Sequence, residues 1–261
     1  MCFLNRIISF IKRARRLSAL TGGFIRAVIT IIRIRKNQED IQSVSYKNIH
    51  IMFRGYDERV LHEIFIDKEY AFLSQYLSNI HKPVVLDIGA HIGAFAIWVI
   101  SINKEAKILS VEADPATYQI ATLNLTALTS QGIKWYLIQG AASDTDGEKI
   151  YFSNTGSSLS HHLDKSGNIE VETVSLSSLI NRIVPEETLI DLLKVDIEGA
   201  EEDFLCTNPE VLKKVRAIVV ELHPNLCDVG RVKDTLNIFF NHIDIIRQRK
   251  STKPLLFCMN C

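Results

Sequence analysis

The sequence predicts a doubly wound α/β fold, a mostly parallel sheet with helices on both faces, behind a helical N-terminal extension. Three observations predict it. From Pro83 onward, short apolar runs alternate with helical segments, the pattern of strands buried on both faces. A glycine turn from Gly89 to Gly93 joins the first of these runs to a helix. Polar residues close the apolar runs, at the carboxyl ends of strands where such sheets bind ligands.

The elements follow in order. Residues 1–36 read as one or two helices, broken at Thr21-Gly22-Gly23. Residues 37–47 are polar and read as a linker, so the expected division is an extension over 1–45 and a catalytic domain over 46–261. Ile49–Phe53 reads as a short strand and Asp67–Leu77 as a helix. Val84–Ile88 is a buried strand, Ile92–Ile102 a helix, Lys107–Val111 a strand, and Pro115–Leu128 a helix with proline in its first turn. Ile133–Gln139 is the third strand of this series. Ile150–Phe152 and Ile169–Thr173 are short strands around a polar stretch, Ser153–Gly167, whose His161 and His162 suit a lid or a pocket wall. Leu189–Val195 and Ala217–Leu222 are buried strands, and Ile243–Arg247 with Leu255–Cys258 form a closing pair.

Composition narrows the class. The 261 residues are 47% apolar and 23% charged, with net charge zero, as in an ordinary globular protein. That balance hides an asymmetry. Residues 1–38 hold nine Lys or Arg and no acid, and the rest holds 21 basic and 30 acidic residues. A basic head on an acidic body implies separate jobs. The head is expected to pack as an arm or to rest on an anionic membrane surface, and its composition also fits a mitochondrial presequence. No stretch reaches the ~18 continuous apolar residues of a membrane span. Five scattered cysteines do not form a disulfide framework, and Cys258-x-x-Cys261 has no second pair to complete a zinc site. A reducing, cytoplasmic location is expected, with peripheral membrane contact as its variant.

The strongest local signal is Asp87-Ile88-Gly89-Ala90-His91-Ile92-Gly93. Its spacing is G-x-x-x-G, which disfavours the pyrophosphate cradle of a dinucleotide fingerprint. A ligand with an amino-acid tail and a ribose fits better, with Gly89 allowing close backbone approach and Asp87 receiving an ammonium directly or through water. Glu112 closes the next strand, 23 residues after Gly89, where a carboxylate accepts both hydroxyls of a ribose. Ala141 and Ala142 after the third strand are small enough for an adenine ring to lie against the backbone.

These residues, with Val111-Glu112-Ala113-Asp114-Pro115, Lys194-Val195-Asp196-Ile197-Glu198-Gly199-Ala200-Glu201 and Val220-Glu221-Leu222-His223, closely resemble the FkbM family of class I methyltransferases over roughly residues 60–224. The resemblance implies a seven-stranded, Rossmann-like class I sheet, S-adenosylmethionine as cofactor, and O-methylation of a sugar or natural-product hydroxyl. It implies that Asp87, Gly89 and Gly93 hold the cofactor's amino-acid portion, that Glu112 holds the ribose, and that Asp196 faces the methyl group; Ala90, His91 and Ala113 are further candidate cofactor-binding residues. Ser143-Asp144 and Asp146-Gly147 match the family's loop after the third strand. Two positions depart from it: His91 stands where Asn is common, and Ser177 where Asp often follows a Thr-Leu pair.

An alcohol is a poor nucleophile at neutral pH and needs a general base, or a metal that lowers its pKa. Asp196, His223 and Glu198 are the candidate catalytic residues: Asp196 as base, His223 as the alternative base, Glu198 and Glu221 orienting the acceptor or tying the loops together. Capping of the following helix is the competing role for Glu198, and pairing with Glu221 the competing role for His223. No tight metal-ligand motif is present, so no metal is assigned. A nucleic-acid methyltransferase is disfavoured, because Asp196-Ile197-Glu198 stands where an N-P-P-Y-like loop would be and no Pro-Cys nucleophile is present. A lipid or protein acceptor, or a membrane-associated scaffold without chemistry, are the rival readings.

Overall fold

Two helices open the chain, Cys2–Thr21 (α1) and Phe24–Lys36 (α2), in a computed structural model that describes residues 2–152, 169–183, 189–246 and 253–260. Gly22 and Gly23 have φ of 73° and 144°, so the chain turns by 111° between them. Ala14 and Leu17 of α1 bury against Ala27 and Ile31 of α2, and the two alanines let the helices approach closely. No single helix among the described residues is long and apolar enough to cross a membrane.

The expected linker is partly a strand. Gln42–Tyr46 (β1) pairs antiparallel with Ile49–Phe53 (β2). Lys47 and Asn48 join them with φ of 46° and 67°, the two left-handed residues of a tight hairpin turn. Burial of Val44, Ile51 and Phe53 holds the register. A helical turn, Glu58–Leu61 (α3), runs into a π-helical turn at His62–Ile66, neither foreseen from the sequence. Lys68, at φ 56°, ends that run, and the helix expected from Asp67 forms only as Ser74–Asn79 (α4) after a 3₁₀ turn.

The chain divides into two compact units, Met1–Tyr76 and Leu77–Cys261, later than the expected boundary at 45/46. The reason is chemical. The Arg13 Nε donates to Glu58 Oε1 at 2.7 Å, and Arg16 pairs with Asp67 at 2.5 Å, so the segment after the hairpin is fastened to α1.

The second unit follows the predicted alternation. Its elements are Val84–Ile88 (β3), Ala94–Ile102 (α5), Lys107–Glu112 (β4), Pro115–Thr129 (α6), Lys134–Gln139 (β5), Ala141–Ala142 (β6), Lys149–Phe152 (β7), Ile169–Val174 (β8), Leu176–Ile183 (α7), Leu192–Val195 (β9), Glu201–Cys206 (α8), Ala217–Glu221 (β10), Val229–Phe239 (α9), His242–Ile246 (β11) and Leu255–Met259 (β12). The seven-stranded sheet runs β11-β12-β10-β9-β3-β4-β5. Only β12 is antiparallel to its neighbours. β6, β8 and β7 make a small separate sheet. The stretch 153–168, with His161 and His162, lies outside the described residues, as does Cys261. Cys258 is a buried strand residue rather than part of a tail.

Strand order reverses between β3 and β9, which makes their carboxyl ends the switch point. One face of the sheet presents Leu86, Ile88, Val111, Val195 and Val220 to a core that includes Leu179, Phe204 and Leu236. The other face carries a polar row. Asp87 is the cross-strand partner of Lys194 on one side and Ser110 on the other. Lys194 Nζ lies 3.3 Å from Asp87 Oδ1, Ser110 Oγ donates to Asp87 Oδ2 at 3.3 Å, and Trp135 Nε1 donates to Ser110 Oγ at 2.9 Å. All four residues are buried.

Candidate active site

The glycine turn is held by its neighbours on both sides. The Gly89 and Ala90 N–H groups donate to the Val111 carbonyl at 3.0 and 2.9 Å, and Asn124 Nδ2 donates to the Ile92 carbonyl at 2.9 Å. Gly89 has φ 77°, and a Cβ there would stand 1.8 Å from the Asp196 carbonyl oxygen. Its close approach is therefore to the end of β9, which seats the turn against the candidate base. Gly93, at φ 79°, leaves room for the Trp135 ring, 2.4 Å from where its Cβ would be. His91 also has left-handed geometry, φ 53°. Asn and His are both enriched there, which explains physically why His can stand where the family prefers Asn.

Glu112 closes β4 beside this turn. Its Oε2 accepts the His91 N–H at 2.7 Å and its Oε1 accepts the Asp114 N–H at 2.9 Å. Burial pushes the carboxyl up to about 7, against the pull of those two backbone donors. A carboxylate has about four acceptor positions, so capacity remains for two hydroxyls. Asp114 caps α6 by accepting the Thr117 N–H at 2.9 Å, with Pro115 at the first helical position as expected.

Asp87 is fully buried and paired to Lys194 beneath the turn. The sequence reading gave Lys194 no role of its own. Its Nζ donates to the Gly89 carbonyl at 2.6 Å and lies 3.9 Å from Asp196 Oδ2. Burial works to lower its pKa, but Asp87 and Asp196 outweigh that and hold it above the ordinary lysine value. Ala141 is buried with Ala113, Val171 and Ile150, while Ala142 packs against the main core.

The ends of β9 and β10 carry the second cluster. His223 is 3% exposed and has four carboxylates around it. Nδ1 lies 2.6 Å from Glu201 Oε1, and Nε2 lies 3.1 Å from Glu198, 3.8 Å from Glu221 and 4.0 Å from Asp196. Glu201, fully buried, is its main partner, and the sequence reading missed it. Burial works to lower the imidazole, but the bonds to Glu198 and Glu201 outweigh it and raise the ring to about 10. At that value the protonated ring, held between Glu198 and Glu201, is the favoured form, which weighs against His223 as the alternative base.

Glu198 does not cap the next helix, which begins at Glu201 with Ala200 before it. It sits at φ 51° and pairs with His223 and with Lys253, whose Nζ is 3.2 Å away. Lys253 also lies 3.5 Å from Glu221. Asp196 is the most open of the four, 31% exposed at its side chain, and no donor among the described residues is within hydrogen-bond distance of its carboxylate. Asp196, Glu221 and His223 can each bring one ligand atom within 4.8 Å of the others, a spacing a metal ion would accept.

Asp146 has a structural task. Its carboxylate accepts the Ser175 N–H at 2.8 Å and the hydroxyls of Ser175 and Ser178, fixing the start of α7. Ser177 joins the same network through Ser175, 3.0 Å away, in place of the acid common in the family.

Residues 87–249 match the sequence profile of the methyltransferase FkbM domain. The 2-O-methyltransferase NoeI of Sinorhizobium fredii is 27% identical over 168 residues, covering 56% of this chain and 67% of that protein. Methyltransferase sdnD of Sordaria araneosa is 30% identical over 192 residues, covering 61% and 72%. A match to the synthetase AmbE of Pseudomonas aeruginosa takes in 9% of that much longer protein. In fold, the magnesium protoporphyrin IX methyltransferase of Synechocystis PCC 6803, crystallised with bound SAH, superposes with a TM-score of 0.50 at 10% identity, covering 89% of this chain and 94% of that one.

Proposed function

This chain belongs to the FkbM family of methyltransferases, and from that premise we propose that it methylates a hydroxyl of a sugar, glycan or related metabolite, with S-adenosylmethionine as donor. One observation carries the reading. The glycine turn, Glu112 and Asp196 stand together at the carboxyl ends of three adjacent parallel strands, at the switch point.

The residues present fit the donor. Glu112 would hold the ribose hydroxyls, with its carboxylate already aimed by two backbone donors. The turn from Gly89 to Gly93 would hold the amino-acid end, with its shape fixed by Lys194 from beneath. When bound, the donor supplies a methyl group on a positively charged sulfur. Asp196 binds the acceptor hydroxyl and takes its proton, since it is the carboxylate in the cluster with open acceptor positions. Glu198 and Glu221, fixed by Lys253 and His223, shape the wall around the acceptor. The reading of oxygen as the methylated atom draws support from the similarity to the 2-O-methyltransferase NoeI and from a carboxylate, not an amide, at the end of β9.

Calorimetric titration with S-adenosylmethionine and its demethylated product tests the cofactor. Saturable binding is expected, with affinity rising as pH increases through about 7 because Glu112 accepts hydroxyls best as a carboxylate. Glu112→Gln should weaken binding by about tenfold, the worth of a charge-assisted hydrogen bond, and flatten that pH dependence. Folded protein that binds neither compound would end the proposal. The acceptor is sought by mass spectrometry of glycan and lipid extracts from cells with and without the gene, as a species heavier by one CH₂.

A further inference from the structure

The first unit carries a surface that the chemistry above does not use. On α1, Leu4, Ile7 and Ile8 are exposed, spaced so that they share one helical face. On α2, Ile25, Ile29 and Ile32 are 75%, 45% and 54% exposed and form a stripe along that helix. Ala27, Ile31 and Ile34, on the opposite side of α2, are the ones that bury. α2 therefore has two apolar faces, one packed and one open, and the first turns of α1 add an open apolar stripe. Contiguous exposed apolar surface of this kind marks an interaction site.

The charge around these stripes selects the partner. Arg6, Lys12, Arg15, Arg26, Arg33 and Lys36 are exposed and have no acidic partner among the described residues. Among the described residues, Arg13 and Arg16 are the cations of the first 38 residues that pair with acids, Glu58 and Asp67. Apolar stripes flanked by unpaired cations match the boundary of an anionic bilayer, where side chains enter the acyl region and cations meet headgroup phosphates. A nucleic acid would answer the charge and leave six exposed aliphatic side chains in water.

Neither helix alone is long and apolar enough to cross a bilayer, so the fit is to its surface. α2 has 13 residues, about 20 Å of helix against a hydrocarbon core of about 30 Å. α1 has 20 residues but carries five Lys or Arg in its middle and first turns. The chain also bends by 111° between them.

We propose that α1 and α2 form a peripheral docking surface for an anionic lipid bilayer, through the stripes Leu4-Ile7-Ile8 and Ile25-Ile29-Ile32 and the cations beside them. This holds whatever the methyl acceptor is. A bilayer site would bring the enzyme to acceptors carried on lipid.

The test is co-sedimentation of the full chain with vesicles of phosphatidylcholine alone and of phosphatidylcholine with a third phosphatidylglycerol. Binding to the anionic vesicles should be at least tenfold tighter and should fall with added salt. The change I25E/I29E should abolish most of it, and Arg33→Gln with Lys36→Gln should weaken it about tenfold or more, since each cation near an anionic surface contributes roughly fivefold. Thermal stabilisation by S-adenosylmethionine should be the same in wild type and both variants, which shows the variants folded. Equal binding to both vesicle types would overturn the proposal. So would retention of vesicle binding by I25E/I29E, or a stable dimer in sedimentation velocity that I25E/I29E dissociates. A loss of cofactor binding in the wild type, with vesicle binding intact, would count against the enzyme reading and leave this one standing.

Discussion

Two groups of charged side chains occupy neighbouring positions on the same sheet and are built on opposite principles. Inside, Lys194, Asp87, Ser110 and Trp135 form a closed row across four strands, with one cation against one carboxylate and all four side chains buried. Two residues beyond Lys194, the cluster at the strand mouths sets four carboxylates against His223 and Lys253, with Lys194 itself reaching to 3.9 Å from Asp196. The inner row is balanced, so it can only hold shape. The outer cluster keeps negative charge in excess beside solvent, so it can accept a proton or a donor. Position along a strand, more than residue type, separates fold from chemistry here.

The largest expected effect comes from the outer cluster. Asp196→Asn keeps the volume and removes the proton acceptor, so turnover should fall by about 10²–10⁴. Cofactor affinity should be nearly unchanged, because no cofactor-holding group is altered. Single-turnover assays and calorimetry on the same preparation separate the two. Near-normal turnover would take Asp196 out of the chemistry.

The inner row should break differently. Lys194→Met removes the cation and leaves the Asp87 carboxyl buried without its partner, which costs about 3–5 kcal/mol of stability. Adding Asp87→Leu should recover much of that loss, because an ion pair replaced by apolar residues is often neutral. Urea midpoints of the wild type and the two variants measure it. If the double variant were as unstable as the single one, the row would be serving the glycine turn through the Lys194–Gly89 bond more than it serves the core.

His223 links the comparison to pH. Its pKa is about 10 in the folded chain, above the ordinary 6.5. A raised histidine contributes stability that is full below the unfolded value and lost as pH rises towards the folded one. The wild type should therefore lose stability between about pH 6.5 and 10, and His223→Gln should be less stable at pH 6 but show a flatter profile. Equal slopes would mean that the ring is neutral in the fold.

Much of this was legible in the sequence, for physical reasons. The interior of each central strand is an apolar run broken by a single polar residue, Asp87, Ser110 or Lys194, and an exposed strand does not look like that. The Gly89–Gly93 turn and Glu112 were readable because their spacing along the chain is set by one strand–helix–strand unit. Other features were hidden because they depend on pairing between segments far apart. Glu201 lies 22 residues from His223, and only the fold brings it to 2.6 Å. The pairing of Asp87 with Lys194 spans more than a hundred residues and follows from strand order alone. The hairpin before the first helical turn went unread because Lys47-Asn48 lacks the glycine that usually announces such a turn.

The smallest expected effect is that of a chelator. Asp196, Glu221 and His223 could converge on a divalent cation, which would make the outer cluster a metal centre. Two positive groups already face the same oxygens. His223 would have to surrender the proton on Nε2 that its carboxylate neighbours stabilise, and Lys253, 3.5 Å from Glu221, would have to withdraw. Turnover in excess chelator should therefore equal that of untreated enzyme, and added Mg²⁺ or Mn²⁺ should not raise it. A loss restored by either ion would recast His223 as a ligand, turn the Asp196→Asn defect into lost coordination, and reduce the contrast between the two clusters to one of accessibility.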